Sequence, residues 1–161
     1  MNFRDIIIAW DKLPKWRAAM RVSGKKLVVT NGCFDILHLG HVIYLEAACN
    51  LGDALLVGVN GDNSTRELKG AGRPVNTEND RATVIAALES VNGVCIFTEK
   101  IAVKFLERAQ PDIYVKGGGY TLETLNQDER RAVESAGGKI IIIPLVPKKS
   151  TTGLLEKIQR L

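Results

Sequence analysis

Five short apolar runs constrain this chain more than any other feature: Leu27-Val28-Val29, then residues 55–59, 94–97, 113–115 and 140–143. They are rich in valine and isoleucine and almost uninterrupted, without the apolar-polar alternation of a half-exposed strand. Strands of that kind bury both faces, which requires a parallel sheet with helices on each side. The intervening stretches carry apolar residues at helical spacing, over residues 42–49, 77–88, 98–110 and 121–136, and a last helix runs from Ser150 to the C-terminus. Thr77 and Asp80 are spaced to cap the second of these. Residues 60–64 read as a turn, and 66–74 as a basic loop punctuated by glycines. Strand and helix alternate without repeats, so the expected architecture is α/β, a single-domain, doubly wound, parallel five-stranded sheet.

Composition narrows the function. A chain of 161 residues with 45% hydrophobic residues can bury a core without disulfides. Lys and Arg number 22 against 18 Asp and Glu, and this modest excess suits a small anionic substrate. No basic tail or aromatic-interleaved basic patch points to nucleic acid. Cys33, Cys49 and Cys95 are odd in number and widely spaced, which argues for reduced thiols. The N-terminal apolar run is broken by Asp5 and Asp11, unlike a secretory signal, and no stretch is long enough to span a membrane. A cytoplasmic location is expected. Residues 1–24 read as an N-terminal helical segment broken near Pro14, either a cover over the sheet or a dimer contact, and 25–161 as the main domain.

In doubly wound sheets ligands bind at the carboxyl ends of the strands. Four polar or glycine-rich segments follow apolar runs: residues 31–41, 69–73, 116–120 and 148–152. The first holds both histidines of the chain, His38 and His41, at a strand-to-helix turn. Three residues apart, they lie on one helix face and can share a substrate. Gly32 and Gly40 permit close backbone approach, and amides at a helix start favour an anion. Ser150, Thr151 and Thr152 open the last helix, where they act as caps, phosphate ligands or both. Lys69 and Arg73 are either solvated loop charges or phosphate ligands. Cys33, Asp35, His38 and His41 are all potential zinc ligands, but their spacing fits no usual structural zinc pattern, and no metal site is expected.

His38-Leu39-Gly40-His41, together with Gly32-Cys33-Phe34-Asp35 and the later Ser150-Thr151-Thr152, resembles the signatures of the HxGH nucleotidyltransferase superfamily. Leu68-Lys69-Gly70, Arg73-Pro74-Val75-Asn76 and Val115-Lys116-Gly117-Gly118 extend the similarity to the adenylyltransferase domain of the bifunctional heptose-phosphate enzymes of lipopolysaccharide synthesis. Gly119 stands where those enzymes carry an acidic residue.

The resemblance implies a Rossmann-like nucleotidyltransferase fold. It also implies AMP transfer from ATP to D-glycero-D-manno-heptose 1-phosphate, giving ADP-heptose and pyrophosphate, with Mg²⁺ on the triphosphate. The heptose kinase would be a separate protein, and the apolar N-terminal segment is compatible with a homo-oligomer. His38, His41 and Lys69 are the implied catalytic residues. The implied nucleotide ligands are Asn31, Gly32, Cys33, Phe34, Gly40, Arg81, Lys116, Gly117, Gly118 and residues 150–152. Asp35, Asn60 and Arg73 would meet the sugar phosphate. The competing readings are a cytidylyltransferase of the glycerol-3-phosphate type and a nucleotide-binding sensor without catalysis.

Overall fold

In the computed structural model, which describes residues 2–161, the apolar runs form the strands that their composition predicts. These are β1 Leu27–Gly32, β2 Ala54–Asn60, β3 Gly93–Phe97, β4 Ile113–Gly117 and β5 Lys139–Ile143. All neighbours pair parallel, in the order β3-β2-β1-β4-β5. The chain therefore winds outward from β1 to β3, then returns to place β4 on the other side of β1. That reversal opens a crevice above the carboxyl ends of β1 and β4.

Successive side chains of β1 serve opposite faces of the sheet. Leu27 and Val29 enter a core layer with Leu56, Phe105, Leu106, Tyr114 and Val133, whereas Val28 joins Leu45, Leu55, Val57, Ile85 and Val115. The first layer is covered by α1 Leu13–Val22, α5 Val103–Ala109 and α6 Gln127–Ser135, which carry Leu13, Phe105, Leu106 and Val133 into it. The second is covered by α2 Leu39–Cys49 and α4 Glu78–Ala86.

The N-terminal segment is built into this core. Ile8 donates its amide to Val94 O at 2.7 Å, and Leu13 is fully buried. Arg17 of α1 ties the segment to the turn between α5 and β4 through Asp112 Oδ2 and Gln110 O, both at 3.0 Å. As expected, the segment is broken just before Pro14, between a 3-10 turn at Phe3–Ile6 and α1. Pro14 itself stands in the first turn of α1, where its missing N–H has no intrahelical partner to lose.

Other boundaries shift for local reasons. Residues 62–69, expected as turn and loop, form a further helix, α3 Asp62–Lys69. This helix buries the hydroxyls of Ser64 and Thr65, which donate to Gly61 O and Asn60 O, and so shows no apolar stripe. The expected helix over 98–110 begins only at Val103, because Ala102 N is drawn to Glu129 Oε1 at 2.8 Å. The one expected over 121–136 begins at Gln127, capped by Asn126 Oδ1, which accepts from the amides of Asp128 and Glu129. The last helix, α7 Thr151–Gln159, starts as expected, with Ser150 Oγ accepting from Gly153 N at 3.0 Å.

Candidate active site

A cleft of about 610 Å³ opens above the carboxyl ends of β1, β2, β4 and β5. Its walls bring together Asn31, Gly32, Cys33, Phe34, Asp35, His38, Gly40 and His41 from β1 and the turn into α2. Asn60, Lys69 and Arg73 come from β2 and the α3 region, and Lys116 and Gly117 from β4. Ser150, Thr151 and Thr152 close the site at the start of α7. Segments 120 residues apart in sequence thus share one space because all of them leave the same edge of a parallel sheet.

The histidine pair has a defined geometry. The His38 and His41 rings stack with centroids 4.0 Å apart and planes 27° apart. His38 is the N-cap of α2, and its Nδ1 accepts from Gly40 N at 3.1 Å. An accepting Nδ1 leaves the ring proton of the neutral form on Nε2, so His38 has a donor to offer. Phe34 meets His41 edge-on with centroids 5.4 Å apart. Burial, reinforced by the neighbouring His38, pushes the His41 pKa down to about 4. Burial also lowers that of His38, with Lys149 adding to the effect. Both rings are therefore neutral at pH 7. Nδ1 of His41 is buried and meets no hydrogen-bond partner among the described residues. A buried polar atom left in this way is costly unless a ligand completes it.

Gly40 makes the pair possible. A Cβ at this position would lie 2.9 Å from His38 Nδ1 and 3.2 Å from Lys149 Cβ. Gly40→Ala must therefore displace the His38 ring. The expected result is a fall in kcat of about 100-fold, the usual consequence of moving a reacting group by about 1 Å. Thermal unfolding stays close to wild type because the clash is with side chains at the cleft mouth. Wild-type turnover in a folded Gly40→Ala protein would show that His38 need not be held there.

Cations surround the histidines. Lys69, in the last turn of α3, and Lys149, just before α7, are exposed in the cleft wall. Arg73 is fixed by Asp35, whose Oδ2 accepts from Nε at 2.5 Å. The Asp35 carboxylate also accepts from the amides of Val75, at 2.8 Å, and Asn76, at 3.1 Å. These partners hold its pKa below the ordinary carboxylate value against the opposing effect of burial. Asp35, expected at the sugar phosphate, thus serves as the anchor of the 70–76 loop and aims Arg73 from the cleft wall. Asn60 Nδ2 is similarly engaged, with Glu99 O at 3.3 Å.

Two expected ligands lie outside the cleft wall. Arg81, on α4, has a fully buried guanidinium that donates to Asn76 O, Cys33 O and Asp62 Oδ1 at 3.0, 2.6 and 2.8 Å. Its bonds knit the turn after β1 to the starts of α3 and α4, and none of its nitrogens reaches the cleft. Gly118 packs behind the wall, where a Cβ would lie 2.9 Å from Leu145 N. Its smallness lets the turn after β4 approach the segment after β5.

Several cleft residues carry no sequence signal of their own. Tyr44, on α2, bonds Thr30 Oγ1 at 2.7 Å, and Glu129, on α6, is a buried carboxylate at the cleft floor. Asn126, Leu145 and Val146 also line the cleft, as does Tyr120 of the 116–120 segment. Thr151 Oγ1 donates to Ile36 O at 3.3 Å, latching α7 onto the turn that bears the histidines. A second, more open depression between α5 and α6 contains neither histidine. Among the described residues, no group of three or more His, Cys, Asp or Glu side chains is arranged to hold a metal ion. No helix among them is long and apolar enough to cross a membrane.

Comparison with known proteins agrees with this geometry. The chain is 49% identical over 149 residues to the bifunctional protein HldE of Geotalea uraniireducens, covering 92% of this chain and 30% of that protein. It is 44% identical over 156 residues to the HldE protein of Mesorhizobium japonicum, covering 97% of this chain and 31% of that one. It therefore spans less than a third of the curated relatives it matches. A crystal structure of the lipopolysaccharide core biosynthesis protein from Thermoplasma volcanium superposes with a TM-score of 0.64 at 29% identity, covering 78% of this chain and all of that one. The sequence profile of the cytidylyltransferase-like proteins matches residues 29–154, and the chain belongs to that family.

Proposed function

We propose that the chain is an adenylyltransferase that moves AMP from ATP to D-glycero-D-manno-heptose 1-phosphate, giving ADP-heptose and pyrophosphate for lipopolysaccharide core synthesis. The observation that carries the reading is a stacked, neutral histidine pair and the capped start of α7 lining one cation-rich cleft together. The similarity to HldE proteins across almost the whole chain supports the heptose substrate.

A phosphate oxygen of the sugar attacks the α-phosphorus of ATP, and the bond from that phosphorus to the bridging oxygen of pyrophosphate breaks. The attacking group is already an anion, so no base is required. Catalysis reduces to positioning and stabilisation of charge on the phosphate oxygens. His38, through Nε2–H, and His41 donate to those oxygens as charge builds. The amides at the start of α7, with the hydroxyl of Thr152, hold the departing pyrophosphate, while Thr151 keeps α7 latched to the turn after β1. Lys69 and the Asp35-anchored Arg73 receive the sugar phosphate. Lys116 and Gly117 line the nucleoside end.

The cleft carboxylates do not fit a resident metal ion. Asp35 is committed to Arg73 and two amides, and Glu129 to Ala102 N and Tyr114. Mg²⁺ accordingly enters as part of the nucleotide substrate, on the triphosphate. A kinase that phosphorylates the heptose supplies the acceptor, and the use of ATP puts the reaction in the cytoplasm. The test is pyrophosphate release with ATP and heptose 1-phosphate together, with each omitted, and with CTP in place of ATP. ATP-dependent release that needs the sugar phosphate is expected. Release with CTP alone makes the protein a cytidylyltransferase, and binding of ATP without release makes it a sensor.

A further inference from the structure

A buried polar cluster below the cleft has no part in the phosphate chemistry just described. Glu129, on α6, is 5% exposed, and its Oε1 accepts from Ala102 N at 2.8 Å. Its Oε2 lies 3.1 Å from the Tyr114 hydroxyl and 3.6 Å from Lys116 Nζ. The same hydroxyl lies 2.6 Å from Asn31 Oδ1, which also accepts from Lys116 Nζ at 3.2 Å. Tyr114 has one proton to share between Asn31 Oδ1 and Glu129 Oε2, so one of the two depends on another donor. The ammonium of Lys116 donates to Asn31 Oδ1 and forms an ion pair with Glu129 Oε2. It can face both acceptors and retain a third N–H, and Lys116 is part of the cleft wall.

We propose that Glu129 is a positioning residue for nucleotide binding that acts through Lys116, fixing its ammonium at the cleft floor and balancing its charge there. The inference rests on the reading that this cleft takes a nucleotide. It also explains why α6, whose other residues serve the core and the surface, places one buried carboxylate under the site.

The electrostatics agree with that assignment. Burial lowers the proton affinity of Lys116, and Glu129 opposes the shift, with a smaller contribution from Cys33. The other groups facing the ammonium are neutral: Asn31 from β1, Tyr114 from β4 itself and Tyr120 from the turn after β4, the two tyrosine ring centroids each 5.3 Å away. Glu129 is therefore the counter-charge on which the protonated state chiefly depends.

Glu129→Gln keeps the shape and an acceptor for Ala102 N while removing the charge. The experiment follows the Lys116 side chain by NMR of lysine labelled with carbon-13 at Cε, assigned with Lys116→Arg, and measures ATP affinity by calorimetry across the same pH range. Loss of an opposite charge at this distance should lower the lysine titration midpoint by about one to three pH units. ATP affinity of the variant should then fall as pH rises through the new midpoint, where the wild type still binds. Glu129→Asp, which keeps the charge but withdraws it by one methylene, should shift the midpoint less, and it serves if Glu129→Gln does not fold. An unchanged lysine midpoint overturns the inference. So does a lowered midpoint with an ATP affinity that is unaltered or reduced equally at every pH. The lysine titration needs no turnover, so failure to form ADP-heptose would count against the proposed reaction while leaving this result to stand by itself.

Discussion

Replacing His41 with alanine should lower kcat for ADP-heptose formation by about 100-fold or more, the usual loss when one donor to a developing oxyanion is removed. The ring offers a polar atom, Nδ1, that is buried and meets no partner among the described residues. The neutral ring carries one N–H, and a donor placed at the phosphate oxygens stabilises charge that appears only as the reaction proceeds. The loss should therefore fall on kcat and kcat/KM together, with ATP affinity little changed. His38→Ala should act in the same sense, and because the rings stack at 4.0 Å, the double variant should lose less than the product of the two single effects. The ring also titrates. Its pKa is about 4 in the folded protein against an ordinary value of 6.5, so between these limits the unfolded chain binds the proton more readily. The His41 contribution to stability is thus fully present above about pH 6.5 and is lost as pH falls towards 4. The wild-type melting temperature should decline over that interval, more steeply than that of His41→Ala. A folded His41→Ala protein turning over at the wild-type rate would sink the proposed role.

The parts of this molecule that rest on periodicity were legible before any coordinates. The five strands are continuous apolar runs, which marks a parallel sheet covered on both faces, while their order β3-β2-β1-β4-β5 is known from the fold. The cleft was legible for a related reason, since the segments bearing His38, Lys69, Lys116 and Ser150 lie at or beyond the carboxyl end of an apolar run and so gather at one edge. What escaped notice depended on polar groups that bond inward. Ser64 and Thr65 bury hydroxyls against α3's own start, which removes the stripe that marks a helix. Glu129 resembles any acid in a first helical turn, and only the fold brings it under Lys116. Asp35 and Arg73 both read as substrate ligands in the sequence, yet their nearest partners are each other. Arg81 did carry a sign of its position. It stands four residues before Ile85 and next to Ala82, on the stripe by which α4 faces the core, so a charge there calls for internal partners.

That position makes Arg81 the sharpest contrast with the cations of the cleft. Arg81→Met retains most of the side-chain volume and removes three donors from a fully buried site. Cys33 O and Asn76 O lose their side-chain donor, and Asp62 loses its cation. Breaking a buried ion pair costs about 3 to 5 kcal/mol, and Asp62, with its side chain 34% exposed, can recover some solvation, which argues for about 3 kcal/mol. For a chain of this length each kcal/mol moves the melting temperature by about 2 to 4 °C, so a fall of about 6 to 12 °C is expected. ATP binding measured well below the transition should persist, because no Arg81 nitrogen faces the cleft. Lys69→Met should behave in the opposite way. An exposed side chain at the end of α3 changes stability by no more than about 0.5 kcal/mol, so its melting temperature should match wild type while KM for the sugar phosphate rises. The two variants together separate what holds the turn after β1 in place from what meets the substrate there. A stable Arg81→Met protein that had lost ATP affinity would mean that the guanidinium leaves its three acceptors to reach phosphate, and the roles assigned to Arg81 and Lys69 would have to be exchanged.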